Sequence, residues 1–120
     1  MIFAFVEDGT LRVFGTAAEA VREYEAIDVE SGAVRFYDED GGVLQPRFTT
    51  PNRRVRSAAY ELVPNPGADE DPIALALYET QSLWPNPWFQ SLEQLKATLA
   101  AKGVAVELRA EETQPRVPRS

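Results

Sequence analysis

This 120-residue chain lacks the two side chains that most often carry enzyme chemistry, because it contains neither cysteine nor histidine. The absence of cysteine excludes disulfide bonds, thiolate metal sites and a cysteine nucleophile. Histidine is the commonest general base and metal ligand, so its absence excludes a Ser-His-Asp triad and the usual charge switch near neutral pH. We therefore predict no catalytic residues and a protein that is not an enzyme.

Long apolar runs and phosphate-binding motifs are also lacking. No segment approaches the roughly 20 apolar residues that cross a bilayer, and residues 1–9 lack the basic start and apolar segment of a secretory signal. Neither G-x-x-x-x-G-K-[ST] nor G-x-G-x-x-G occurs. In the acidic run at 38–42, calcium-loop position 5 falls on Gly42 instead of an oxygen ligand. We expect a cytoplasmic protein without cofactor, metal or membrane partner.

Acidic residues dominate the charge, which totals −7. Residues 1–46 contain ten acids and three arginines, and the remainder after residue 57 contains nine acids and five bases. Between them, Arg47, Arg53, Arg54 and Arg56 accompany no acid. An acidic surface repels phosphate backbones and attracts cations, which favours a basic protein partner over nucleic acid.

The centre of the chain predicts a β-hairpin with an acidic tip. Alternating residues in 34–37 and 43–45 flank D-E-D-G-G (38–42), whose glycines suit a tight turn. Pro46 lacks a backbone donor, which the sheet tolerates if the second arm lies at an edge. Residues 2–13, with Asp-Gly between two apolar runs, predict another hairpin before it.

Two capping boxes predict the starts of two amphipathic helices. T-A-A-E (16–19) begins a helix over 17–25, and S-L-E-Q (91–94) begins a second one that Gly103 ends. The chain thus predicts an α+β fold for 1–110. We expect a mainly antiparallel sheet of about five to seven strands, with two amphipathic helices packed on it.

The remaining segments give weaker patterns. Residues 57–63 and 104–108 alternate as strands do, and 26–31 suggest a short edge segment. The pattern at 72–80 fits both a strand and a helix that begins after Pro72, and we favour a strand that pairs with 57–63. Residues 111–120 contain two prolines and no aromatic residue, which predicts a disordered tail.

Three groups of side chains are candidates for contact with a partner. Two are acidic, one before the central hairpin and one at its tip, and the third lies in W-P-N-P-W-F (84–89), where proline prevents regular structure. Tryptophans of this kind either anchor an interface or fold over the core. The predicted partner-binding residues are Glu25, Asp28, Glu30, Asp38, Glu39, Asp40, Trp84 and Trp88.

Three segments carry a resemblance to a class of protein. The run I-D-V-E-S-G (27–32), the hairpin F-Y-D-E-D-G (36–41) and F-Q-S-L-E-Q-L (89–95) together resemble small acidic bacterial immunity proteins, which are partners of secreted toxins. The resemblance lies in size, acidity and layout over most of the chain. It implies a non-catalytic inhibitor that masks the active face of a basic toxin domain, and it transfers no binding residue.

Two other functions stay open at the level of sequence. A hydrolase would use a pair of carboxylates across a cleft, as in glycoside hydrolysis. An RNA or anion binder would use the segment from Arg47 to Arg56, with Phe48 as a stacking platform. The simpler interpretation is that the carboxylates are solvated and that the arginines pair with acids or protect an edge strand.

Overall fold

A computed structural model of the chain describes residues 1–48, 60–65 and 72–107. Its elements are β1 (Ile2–Val6), β2 (Thr10–Phe14), α1 (Ala17–Glu23), α2 (Ala26–Glu30), β3 (Val34–Asp38), β4 (Val43–Phe48), β5 (Tyr60–Pro64), α3 (Ile73–Glu79), β6 (Ser82–Leu83) and α4 (Leu92–Ala101). The six strands form one sheet in the order β5-β4-β3-β1-β2-β6. All neighbours are antiparallel except β2 and β6. The predicted α+β class is confirmed, with four helices instead of two among these residues.

Strand β1 lies inside the sheet and is buried on both faces. Because side chains alternate along a strand, Phe3 and Phe5 point to one side, where α3 and α4 pack. Ile2 and Ala4 point to the other side, where α1 and α2 pack. This explains why β1 is a continuous apolar run, whereas β2 shows the half-polar alternation of a strand beside the edge strand β6.

Both predicted hairpins are confirmed. Gly9 and Gly41 adopt φ values of 93° and 84°, which glycine reaches without steric cost. Strand β4 is not an edge strand, because β5 pairs with its other side. Pro46 is tolerated there because β3 and β4 pair only at Phe36–Leu44 and Tyr37–Val43, before the ladder reaches the proline.

The helix caps follow the sequence closely. The Thr16 hydroxyl accepts a hydrogen bond from the Glu19 amide, and the Glu19 carboxylate accepts one from the Thr16 amide, as a capping box requires. Ser91 caps α4 in the same way, but the Gln94 side chain accepts from Gln90 instead of the cap residue. Helix α1 ends at Glu23, two residues earlier than predicted.

Three predicted segments are wrong. Residues 73–79 form a helix, because the face with Ile73, Ala76 and Leu77 packs on the core against Phe3 and Phe5. Residues 26–30 form α2 instead of an edge strand. Residues 104–107 are irregular: alternate valines pack on the core, yet this segment pairs with no strand of the described chain.

Several predictions fall outside the described residues. These are the disordered tail at 111–120, the start of the strand at 57–59, Leu108, and the arginines at 53, 54 and 56.

Candidate partner-binding surface

The two acidic groups predicted to bind a partner lie at opposite ends of β3. Glu25, Asp28 and Glu30 precede this strand, and the turn with Asp38 follows it. A five-residue strand spans roughly 13 Å between its first and last Cα atoms. The fold therefore does not gather these acids into one patch.

At the hairpin tip the three carboxylates are engaged within the chain. Asp38 Oδ1 accepts hydrogen bonds from the amides of Asp40 and Gly42, both at 2.8 Å, and so holds the turn. The Lys102 ammonium donates to the Glu39 carbonyl at 3.1 Å and lies 3.6 Å from the carboxylates of Glu39 and Asp40. The tip is thus tied to the end of α4.

The environment of Glu39 also opposes a role in acid catalysis. A hydrogen bond from the Met1 amino group, at 2.9 Å, and the positive charge of that group lower the pKa of Glu39, and Lys102 adds to the effect. A general acid needs the opposite change, towards a raised pKa. Glu39 therefore contributes an ion pair that stabilises the turn.

The acids before β3 are exposed at the surface. The Glu25 carbonyl accepts from the amides of Asp28 and Val29, which starts α2. Val29 is buried against the sheet, while Glu25, Asp28 and Glu30 face outward. Glu30 also lines a cleft of about 320 Å³, whose walls come from the end of α2 and from residues of β3 and β4.

The tryptophan loop holds both indoles at the surface. Trp84 is 53% exposed and Trp88 is 41% exposed, whereas Phe89 is buried with its ring 6.2 Å from Phe3. The Asn86 side chain holds the loop in place. Its Nδ2 donates to the Trp84 carbonyl, and its Oδ1 accepts from the backbone amides of Trp88 and Phe89. Phe89 therefore packs over the core, and the two indoles are available for contact.

Trp84 stacks on a cation of its own chain. The guanidinium carbon of Arg12 lies 4.8 Å from the Trp84 ring centroid, and Arg12 Nη1 lies 3.1 Å from Glu23 Oε2. The same guanidinium lies 5.2 Å from Phe14 and 5.9 Å from Tyr24. Such contacts with aromatic rings stabilise a cation by about 0.5–2 kcal/mol each.

Two polar atoms in this arrangement are buried without a hydrogen-bond partner among the described residues, Arg12 Nε and the Tyr24 hydroxyl. Burial raises the pKa of Tyr24, and the positive charge of Arg12 opposes that rise. The Arg12 guanidinium thus contacts three aromatic rings and pairs with Glu23 through Nη1.

Trp88, in the loop before α4, lies near the carboxylate of Glu19 on α1. The edge of its ring and Glu19 Oε1 lie 3.2 Å and 3.1 Å from the position that a Cβ on Gly15 would occupy. Glu19 Oε1 accepts from the amides of Gly15 and Thr16, and Oε2 accepts no hydrogen bond from the described residues. We call the surface formed by Arg12, Glu19, Glu23, Trp84 and Trp88 the indole face.

Sequence reasoning found the tryptophans of the indole face and missed its charged members. The capping box alone explains Glu19 in the sequence, and no local motif marks Arg12 or Glu23. One signal was present: the two tryptophans and the two glutamates are each four residues apart. Residues four apart lie on one face of a helix, so Glu19 and Glu23 both turn towards the loop.

The described residues give little support to the two alternative functions, an RNA or anion binder and a carboxylate hydrolase. The Arg47 guanidinium is ion-paired with Glu61 across β4 and β5. A second cleft of about 220 Å³ is lined by Glu7 and Glu79, and Glu79 is ion-paired with Arg35 at 3.4 Å. Within the described ranges, no group of three or more acidic side chains is placed to hold a metal ion.

Comparison with protein-family models, with curated proteins and with solved structures finds no match for this chain. No helix in the described part of the chain is long and apolar enough to span a bilayer.

Proposed function

We propose that this chain is a non-catalytic protein-binding domain of the immunity type, which neutralises a basic toxin domain through the indole face. The observation that carries the proposal is the pair of exposed indoles, held in a fixed loop beside the carboxylates of α1. Tryptophan is enriched among residues that dominate binding energy, and a fixed side chain loses little entropy when it binds.

The chemistry of the partner follows from charge. A net charge of −7 attracts a basic protein over long range and raises its association rate, and the indoles then provide short-range anchoring. In this proposal the acidic tip contributes to the overall field and makes no direct contact, because its carboxylates already have partners in the chain.

Capture from a lysate of the source cells tests the proposal. The tagged full chain should retain a basic protein at low salt and lose it progressively as salt rises, because screening weakens charge attraction. The double variant Trp84→Ala/Trp88→Ala should lose that protein. Tyr78→Ala is the matched control, because Tyr78 is 68% exposed but lies on α3, across the sheet.

The immunity role needs a separate readout. The gene of the captured protein, expressed alone in a test host, should arrest growth, and co-expression of this chain should restore it. Restoration should fail with the double tryptophan variant and persist with Tyr78→Ala. Capture of acidic proteins only, or growth that the captured protein leaves unaffected, would contradict the proposal.

A further inference from the structure

The indole face contains two similar pairs of groups, and only one pair holds a cation. Trp84 and Glu23 enclose the Arg12 guanidinium, at 4.8 Å from the ring and 3.1 Å from the carboxylate. Trp88 follows Trp84 by four residues, and Glu19 precedes Glu23 by four. Trp88 and Glu19 also form an indole-carboxylate pair, beside Gly15. No cation of the described residues lies within ion-pair distance of Glu19.

From this likeness we infer that Trp88 and Glu19 form a receptor for an arginine side chain of the partner. The inference rests on the proposed function and specifies the chemistry that the indole face recognises. The arrangement around Arg12 demonstrates that this loop and this helix can hold a guanidinium between an indole and a glutamate.

The chemistry favours arginine over lysine. A guanidinium is planar and weakly hydrated, so it stacks on an aromatic ring while its N–H groups bond a carboxylate. The ammonium of lysine is a compact, strongly hydrated charge that gains less from stacking. At Glu19, Oε1 is engaged with the backbone amides of Gly15 and Thr16, so the incoming guanidinium would bond Oε2.

The small size of residue 15 is part of the receptor. A Cβ on Gly15 would come within 3.1 Å of the Glu19 carboxylate and 3.2 Å of the Trp88 ring, closer than ordinary van der Waals contact. The glycine therefore allows the ring and the carboxylate to approach the same point. Any side chain here would push them apart.

An NMR titration of the full chain tests the receptor directly. The probes are three blocked tripeptides, Gly-Xaa-Gly, in which the central residue is arginine, lysine or citrulline. Citrulline keeps the shape of arginine and lacks its charge. The indole N–H signals of Trp84 and Trp88, assigned with Trp84→Phe and Trp88→Phe, report which ring is contacted.

We expect the arginine peptide to shift the Trp88 signal most, lysine less and citrulline least, while the Trp84 signal shifts less than that of Trp88 because Arg12 already covers one face of that ring. Glu19→Gln should weaken arginine binding about threefold, the effect of losing one exposed ion pair. Gln can still serve at this position of a capping box, so the helix start is kept. Glu93→Gln, on α4, is the control and should bind as the unaltered chain does.

Equal shifts with arginine and citrulline, a Trp84 shift as large as that of Trp88, or unchanged affinity in Glu19→Gln would each overturn the receptor. The two proposals can fail separately. Peptide binding at Trp88 without capture of any basic protein would overturn only the proposed function. Capture that survives both Trp88→Phe and Glu19→Gln would overturn only the arginine receptor.

Discussion

The hairpin tip and the indole face differ in what their charged groups already contact. The tip has three consecutive acids, yet one holds the turn and the others lie near Lys102, with Glu39 also bound by the Met1 amino group. The indole face has two acids: Glu23 is paired with Arg12, whereas Glu19 accepts from the amides of Gly15 and Thr16 and has no cation within ion-pair distance among the described residues. The comparison teaches that a dense run of charge in the sequence measures neither exposure nor availability.

The largest expected effect is on the tip, through Gly41. Gly41→Ala should lower the free energy of unfolding by about 3 kcal/mol, because a Cβ there would lie 2.8 Å from the Val104 side chain and the φ of 84° disfavours it as well. Gly32→Ala is the matched control, with a φ of 86° and open space around it. It should cost about 1 kcal/mol.

Urea unfolding of the two variants measures the difference, which isolates the contact between the hairpin tip and the segment after α4. Equal losses in both variants would show that the tip does not rest on Val104.

The second prediction compares the two regions in binding. Trp88→Ala should weaken affinity for the captured partner about 30-fold, which corresponds to about 2 kcal/mol for a central aromatic anchor. Asp40→Asn at the tip should change it less than about twofold, since an exposed charge mainly affects association rate. Surface plasmon resonance measures the affinity of both variants for the partner. A larger loss of affinity in Asp40→Asn than in Trp88→Ala would indicate that the tip is the contact surface.

The third prediction concerns the support of α1, which carries the glutamates of the indole face. The Tyr60 hydroxyl donates to the carbonyls of Tyr24 and Val21, at 3.0 and 3.4 Å, and so ties β5 to the end of α1. Tyr60→Phe should destabilise the fold by about 1 kcal/mol, the usual net loss of a buried hydrogen bond. Thermal unfolding of this variant beside Tyr78→Phe, whose hydroxyl lies on an exposed residue, measures the effect.

Tyr60 also predicts a pH dependence. Burial, and to a lesser extent Tyr24, raise its pKa from 10.0 to about 12. A group whose pKa is higher in the folded state contributes stability below pH 10 and loses it as the pH rises towards 12. Stability should therefore fall over this range in the unaltered chain, and the fall should be smaller in Tyr60→Phe. An identical pH profile in the two proteins would contradict the assignment.

The smallest effect belongs to Glu39. Its pKa is lower in the folded chain than the ordinary 4.5, so its stabilisation is present above that pH and is lost as the pH falls through the folded value. Glu39→Gln should flatten the loss of stability below pH 4.5. Urea unfolding on both sides of that pH tests it, with Glu93→Gln as the control, and a profile that still matches the unaltered chain would refute the ion pair.

Local patterns predicted much of the fold. Thr16 with Glu19, Asp8 with Gly9 and the glycines of the central turn are signals that act over three or four residues, so the capped helix and both hairpins followed from them. The segment at 73–79 depended on what it packs against. Its alternating apolar pattern is typical of a strand, but it forms a helix because a helix buries Ile73, Ala76 and Leu77 on the sheet.

The sequence by itself determined the acidity, the lack of imidazole and thiol, the two tryptophans of the 84–89 loop as candidates and the α+β class. These depend on composition and short-range chemistry. Only the tertiary structure decided which charged side chains of the described residues pair with an opposite charge in the same chain. The contacts of Arg12 with Trp84, Lys102 with Glu39 and Gly15 with Trp88 join residues far apart in sequence, and such pairings arise only when the elements pack.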